Sequence, residues 1–370
     1  MKIVAVGDIM PGGVLNGTSA LGVSKEILSI LHNADLVVGT LETAVGNEPN
    51  FFDEKMKRLG DVIYVEDEDL LRLKKLNIGV VSLANNHFFD LGYNGAKHTI
   101  DLLNKLGVKH CGAGNNLEEA SKPAVATING ETYAFLAFCD WREEHVGWCP
   151  FATEEKPGVN PMHDEYVVSE ITKYSKIYDH IVVLPHWGKE YSLWPAPEIV
   201  KLSKKMIAAG ATFVLGSHPH CVQPVFAKKK KAIAYSMGNF LFPDRLITKP
   251  RSTYYPHPSL DISLLPQTDG YPYVEEPTFK KWKPIARIGM MVSCELNNDG
   301  CCVEGKYTYQ TYKNEIICRS ELPRLRKTQL NVAKFFINLK GYTIVFKMRN
   351  LFYRAARKSL NVIKRIREKG

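Results

Sequence analysis

Five mostly apolar runs in this chain each lead within a few residues to a side chain able to ligate a metal ion. That recurrence restricts the fold more than any single motif. The runs are Ile3–Val6 before Gly7-Asp8, Leu36–Val38 before Gly39-Thr40-Leu41-Glu42, Ile78–Leu83 before Asn86-His87, Ile181–Leu184 before His186, and Thr212–Leu215 before Gly216-Ser217-His218-Pro219-His220. Short apolar runs bounded by turn residues read as buried strands. Helical spacing recurs between and around them, over 23–31, 66–76, 94–106, 164–178 and 197–209, with Gly107 and Gly210 as terminating glycines and Pro197 as a first-turn proline. Alternating strands and helices predict an α/β fold with parallel strands. In such sheets the carboxyl ends of the strands share one edge, where ligands bind. Two histidines flanking a proline do not continue as a helix, and in an extended segment residues i and i+2 face the same side. His218 and His220 are therefore expected on extended backbone with both rings turned to one point.

The rest of the chain fits around this alternation. Asn129-Gly130 between 124–128 and 132–138 predicts a hairpin, as does the turn at 297–300 between 288–296 and 301–312. Residues 140–163 read as a long loop, and 243–283, mixing proline, tyrosine and charge without period, as an inserted loop or lid. Lys228–Lys231 reads as a solvated hairpin turn.

Charge is divided unevenly. Residues 324–370 hold 14 Lys and Arg against Glu368 alone, a net of +13, whereas residues 1–323 hold 34 bases and 38 acids, a net of −4. A mildly acidic body disfavours nucleic acid as a partner. In the tail, Met348, Leu351, Phe352, Ala355, Val362, Ile363 and Ile366 fall on one helical stripe. Lys347, Arg349, Arg354, Arg357, Lys358, Lys364 and Arg365 are among the basic residues around it. Such a basic amphipathic helix suits an anionic membrane surface; packing on the body or on a partner's acidic face are the alternatives. The eight cysteines lack C-x-x-C spacing and read as reduced thiols. Met1 runs straight into a strand and no apolar run reaches 18 residues, so the expected location is cytoplasmic, peripheral at the inner membrane face if the tail binds lipid.

Imidazoles, carboxylates and one amide oxygen suit Mn, Fe or Zn rather than calcium. They are too many for one tetrahedral ion. Two ions roughly 3.5–4 Å apart, sharing a carboxylate, would use them all, polarising a phosphoryl oxygen and lowering the pKa of a shared water. A nearby histidine could then protonate the leaving oxygen. Taken singly, Asp8 and Glu42 also suit helix N-caps, Asn86 and His87 a turn, and Asp90, Glu190 and Asn239 either the orientation of ligands or the fixing of loops. Arg245, Lys249 and Arg251 read as a solvated loop, with contact to an anionic substrate as the alternative.

Seven stretches, in order, carry a resemblance: GDIMPGG (7–13), LETAVGN (41–47), LANNHFFDLGYNGAKHTIDLL (83–103), GAGNNLEEASKPAV (112–125), LPHWGKEY (184–191), GATFVLGSHPHCVQPV (210–225) and AYSMGNFLF (234–242). Together they resemble the CapA family of capsule and poly-γ-glutamate synthesis proteins, a branch of the calcineurin-like metallophosphoesterase superfamily. The resemblance implies a four-layer α-β-β-α sandwich over 1–322 with one or two divalent ions on one edge, followed by the basic helical tail at 323–370. It implies Asp8 and His220 on one ion, Asn86, His186 and His218 on the other, Glu42 between them, and His87 as general acid. Met10 departs from the superfamily, which has histidine there, and this weakens the first site. Two functions follow: a metal-dependent phosphoester hydrolase in capsular polysaccharide or poly-γ-glutamate synthesis, or a non-catalytic accessory subunit holding an anionic polymer. The implied partners are that polymer or a phosphoester, capsule synthase subunits and an anionic membrane surface.

Overall fold

Lys2–Ile9 is the central strand of a seven-stranded sheet. The structure, a computed structural model, describes residues 2–46, 62–140, 150–248, 252–254, 267–268, 278–297 and 300–352. On one side of Lys2–Ile9, Leu36–Leu41, Ile78–Ser82 and Lys109–Cys111 follow in parallel. On the other side Ile288–Asn297 pairs antiparallel, followed by Gly300–Gln310 and Ile316–Arg319. The second sheet has six strands. Glu131–Cys139, His180–His186, Ala211–Leu215 and Lys231–Ala234 run parallel, with Ala124–Ile128 and Val225–Lys228 as antiparallel edges. The Asn129-Gly130 turn has φ of 51° and 83°, the double left-handed turn that joins twisted strands.

The strands of the second sheet are apolar on both faces because both faces are covered. Tyr133, Phe135, Ala137 and Cys139 join the core shared with the first sheet, along with Val182, Leu184, Phe213 and Leu215. Ala134, Leu136, Phe138, Val183 and Val214 point the other way, onto Val167 and Ile171 of helix Asp164–Tyr174 and Ile199, Leu202 and Met206 of helix Pro197–Ala209. Helices Lys25–His32 and Gly92–Leu106 bury Ile27, Leu31 and Leu103 with the first sheet. Ser24 caps the first of these and Gly107, at φ 70°, ends the second. The layers are helix, sheet, sheet, helix, as expected for the α/β sandwich.

The sheets meet at their carboxyl ends. After Lys231–Ala234 the chain crosses to the first sheet, where the Asp8 N–H donates to the Gly238 carbonyl (3.0 Å) and the Phe240 N–H to the Asp8 carbonyl (2.9 Å). A Cβ on Gly7 would lie 1.7 Å from the Gly238 oxygen, so only glycine admits this crossing. The register of Lys2–Ile9 on Leu36–Leu41 also shifts between Ala5 and Asp8. Such an irregularity re-aims a side chain, here that of Asp8.

Three expectations change. Most of the described part of 243–283 is strand rather than loop: Arg245–Thr248, Ser252–Tyr254, Gln267–Thr268 and Thr278–Lys280 form a third sheet with Val62–Val65 and Ala44–Val45. A local hairpin, Arg245–Thr248 with Ser252–Tyr254, and the distant partner Val62–Val65 hold these strands where periodicity gives no signal. Residues 66–76 begin as a 3-10 turn, Asp67–Leu70, before helix Leu71–Lys75. The tail starts as helix Arg324–Ile337, which buries Ala333 and Ile337 on the helix side of the second sheet. A second helical stretch, 342–352, buries Tyr342, whose hydroxyl donates to the Pro195 carbonyl at 2.6 Å. Trp194 stacks on both Phe336 and Tyr342. This part of the tail therefore packs on the body. Lys347 is exposed, whereas the Arg349 guanidinium lies over the Trp194 ring at 4.8 Å. Arg354, Arg357, Lys358, Lys364 and Arg365 lie outside the described residues, as do Lys249 and Arg251.

Candidate metal centre

Each ligand candidate stands at the carboxyl end of a parallel strand or in the turn after it, and the sandwich brings the ends of both sheets together. Asp8 and Glu42 come from the first sheet, Asn86 from the turn after Ile78–Ser82, and His186, His218 and His220 from the second sheet. All six are buried, Asp8 and Glu42 completely. Two groups of three emerge, Asp8, Glu42 and His220, and Glu42, His186 and His218, with ligand atoms within 4.8 Å of one another in each. Glu42 belongs to both. Its Oε1 lies 3.6 Å from His220 Nε2 and 3.7 Å from His186 Nε2. Asn86 joins the second group, its Oδ1 lying 2.8 Å from His186 Nε2, which is itself 3.0 Å from His218 Nδ1.

The surroundings turn particular atoms inward. His220 Nδ1 meets Asn239 Oδ1 at 2.8 Å, which assigns the proton to Nδ1 and leaves Nε2 facing Glu42. His186 Nδ1 meets Ser217 Oγ at 3.0 Å, and Ser217 Oγ accepts from Thr40 Oγ1 at 3.0 Å, so a hydroxyl pair spanning the two sheets orients His186. The His218 N–H donates to the Asp8 carboxylate at 3.2 Å. His87 Nδ1 is 2.7 Å from Asp90 Oδ2, and that oxygen also accepts the Ile63 N–H at 2.5 Å. Glu190 is half-buried and adds to the negative potential at Glu42.

The His218–Pro219–His220 backbone differs from the extended segment expected. His218 has φ 91° and His220 φ 51°, so the rings converge, with centroids 6.0 Å apart, through a left-handed bend. Such conformations cost about 1–3 kcal/mol each in residues other than glycine and cluster at functional sites. Met10 packs in the apolar core, fully buried. The sequence assigns no role to Ser217 or Trp282, and for Arg245 it offers a solvated loop or contact with an anionic substrate. Arg245 is buried, its guanidinium over the Trp282 ring at 4.7 Å, and the Trp282 ring lies 5.0 Å from His220. The signal for Ser217 was its place inside GSHPH; nothing local marked Trp282.

The residues fit a pair of divalent cations. Glu42 is wholly buried and neither carboxylate oxygen has a hydrogen-bond partner among the described residues. Burial, then the Asp8 carboxylate, push its pKa well above the carboxylate range, against the partial relief of His218 and Arg245. A buried anion in that state is costly, and a cation between Glu42 and the imidazole nitrogens removes the cost. Carboxylate, amide oxygen and imidazole together suit Mn, Fe or Zn.

An α/β sandwich with a buried cluster of carboxylates and histidines on one edge defines the class of fold and site. The family is narrower: residues 2–244 match the model of the bacterial capsule synthesis protein PGA_cap, and the chain belongs to that family. It is 32% identical over 253 residues to the capsule biosynthesis protein CapA of Bacillus anthracis, covering 65% of this chain and 60% of that protein. It is 33% identical over 245 residues to the PGA biosynthesis protein CapA of Bacillus subtilis, covering 64% and 62%. The chain thus aligns over about three fifths of the length of these relatives. Among solved structures, the calcineurin-like phosphoesterase YfkN from Bacillus subtilis superposes with a TM-score of 0.42 at 12% identity, covering 91% of this chain and 97% of the other.

Proposed function

We propose that this chain is a divalent-metal-dependent hydrolase of the phosphoester type, acting in the synthesis of a capsular polymer such as capsular polysaccharide or poly-γ-glutamate. One observation carries the reading: Glu42 is common to both ligand groups and accepts no hydrogen bond among the described residues. Two ions held there supply Lewis acidity toward a phosphoryl oxygen and toward water. Asp8 and His220 hold one side of Glu42, and Asn86, His186 and His218 the other. Asn239 and Ser217 fix the two imidazoles whose Nε2 atoms face Glu42. Asp90 holds His87 at Nδ1 and orients the ring, and His87 would hand a proton to the leaving oxygen. Family membership supports the capsular setting.

A second reading has a specific observation behind it. Met10 lies in apolar packing where a further imidazole would strengthen the Asp8 side, which favours an accessory subunit that holds metal and an anionic polymer without turnover. Metal analysis of the purified protein, with hydrolysis of simple phosphomonoesters and diesters in Mn²⁺, separates the two. The hydrolase reading expects activity that falls at least a hundredfold in His87→Ala and His220→Ala. Metal-loaded protein with no activity, matched by both variants, defeats it.

The tail supports a position on an anionic membrane surface. Ile344, Met348, Leu351 and Phe352 are all more than half exposed, next to exposed Lys347 and a stretch rich in Lys and Arg. No described helix is long and apolar enough to cross a membrane. Co-sedimentation with phosphatidylglycerol vesicles should be lost on deleting 343–370, which keeps the buried Tyr342; unchanged co-sedimentation refutes the role.

A further inference from the structure

We infer that the two tail helices, Arg324–Ile337 and 342–352, are a clamp that positions the metal centre: they grip the connection 187–196 through Trp194 and hold it against the His218–Pro219–His220 bend. The inference rests on the proposed metal centre for its purpose, whereas the clamp stands on its own contacts. Both helices lie beyond residues 2–244, the part of the chain that matches the capsule family.

The connection runs from His186, itself a ligand candidate, to helix Pro197–Ala209. Its middle meets the bend. The Tyr191 N–H donates to the carbonyl of Pro219, the residue between the two histidines, at 2.8 Å, and the Tyr191 ring lies 6.2 Å from that of His220. The Ser192 carbonyl accepts from the Cys221 thiol at 3.1 Å and from Gln223 Nε2 at 2.7 Å. Tyr191, at φ 59°, is left-handed, as His218 and His220 are. Such backbone costs about 1–3 kcal/mol per residue and persists only where its surroundings over-determine it. The bonds above join one strained segment to another; the tail supplies a support from outside both.

The end of the connection meets that support. Trp194 is 6% exposed, and its ring stacks on Phe336 at 5.7 Å and on Tyr342 at 6.1 Å, with the Arg349 guanidinium over it at 4.8 Å. The Tyr342 hydroxyl donates to the Pro195 carbonyl at 2.6 Å. One indole is thus held by both tail helices. Arg326 Nη2 adds a bond to the Val222 carbonyl at 3.3 Å, just past the bend. Trp194 stands three residues from Tyr191, at most about 11 Å of chain. The Ser192 hydroxyl closes that short turn by donating to the Trp194 carbonyl at 2.8 Å. A shift of the indole is therefore passed to the Pro219 contact, and stacked aromatic area resists the shift. Trp194 acts through Tyr191 and the bend, as a positioning residue.

The test is hydrogen exchange of the metal-free full chain, read by mass spectrometry, with Mn²⁺ affinity measured by calorimetry on the same samples. Phe336→Ala and Tyr342→Phe alter the tail alone, and Trp194→Ala removes the gripped ring. Each should speed exchange across 190–195 and 217–223. Mn²⁺ affinity should fall about tenfold in Trp194→Ala, about fivefold in Phe336→Ala and about threefold in Tyr342→Phe, as for groups that support metal ligands from outside. Trp194→Phe keeps an aromatic face and should recover most of the affinity lost in Trp194→Ala. Leu325→Ala, at an exposed position of the first tail helix, should change neither readout. If Trp194→Ala does not fold, the two tail variants decide. Unchanged exchange at 217–223 in both overturns the inference, and so does faster exchange with the parent's Mn²⁺ affinity. A parent chain that binds no Mn²⁺ refutes the metal centre, and exchange at 217–223 then decides by itself whether the tail holds the bend.

Discussion

Asp244 and Glu42 are both carboxylates buried to within 1% of complete, yet the chain treats them in opposite ways. Asp244 accepts two hydrogen bonds from Arg287 Nη2, at 2.7 and 2.6 Å, and a third from the Trp282 N–H. Arg287 also donates to the Thr311 carbonyl at 3.0 Å. Glu42 accepts no hydrogen bond among the described residues and faces the Asp8 carboxylate. The first charge is neutralised by the fold, and the fold depends on it. The second has imidazole nitrogens around it and, among the described residues, no cationic side chain bonded to it, which is what a carboxylate in a candidate metal site requires. Burial alone does not separate structural from functional charge; the bonding around it does.

Breaking the Asp244 pair should have the largest effect. Arg287→Ala strands a buried carboxylate and should cost about 3–5 kcal/mol, seen as a large drop in urea midpoint with or without divalent metal. Glu42→Gln should do the reverse: the metal-free protein keeps or gains stability, while the stabilisation by metal disappears. For the parent that stabilisation is about 2.7 kcal/mol at a hundred times Kd, and a thermal-shift titration with Mn²⁺ reads it. A metal-dependent shift that survives in Glu42→Gln would break the comparison.

Asn239→Ala should weaken metal binding by about 10–100-fold, because His220 Nδ1 loses the group that fixes its proton. The pH dependence sharpens the contrast further. The Glu42 carboxyl is raised in the fold, so its contribution to metal-free stability is fully present below its unfolded pKa. That contribution is lost as pH rises through the folded value. The metal-free parent should therefore lose stability relative to Glu42→Gln as pH rises from acid toward neutral, and saturating metal should abolish the trend. Parallel urea-unfolding profiles for the two proteins would contradict it. The smallest effect is expected in the tail, where Tyr342→Phe removes one hydrogen bond to the Pro195 carbonyl and should cost about 1 kcal/mol in the urea midpoint.

Strand ends were the legible part of this chain. Ile3–Val6 precedes the first helical period and Ile181–Leu184 sits between two, so both read as buried strands and the residues that close them lie at a sheet edge. The hairpin at Asn129-Gly130 and the helix stop at Gly107 were equally plain, because glycine and asparagine state their backbone angles locally. The site was readable as a set of residues but not as a geometry. Proline between two histidines suggested extended backbone, whereas tertiary contacts, including the Gly238 crossing beside Asp8 and the His218 N–H on the Asp8 carboxylate, accompany a left-handed bend. The third sheet was illegible because its strands are short and it is completed by a distant segment, Ser252 pairing with Val62.

The sequence by itself determined the alternation of strands and helices and the kinds of atoms that end each strand, because hydrophobic period and turn chemistry are local properties. Tertiary structure decided which of those atoms lie close enough together to form the two candidate ligand groups. It made Glu42 the member common to both groups, left that carboxylate without a hydrogen bond among the described residues, and brought Trp282, with Arg245 over its ring, beside His220. Those facts depend on distances between two sheets and a third, and such distances exist only once the sheets have packed.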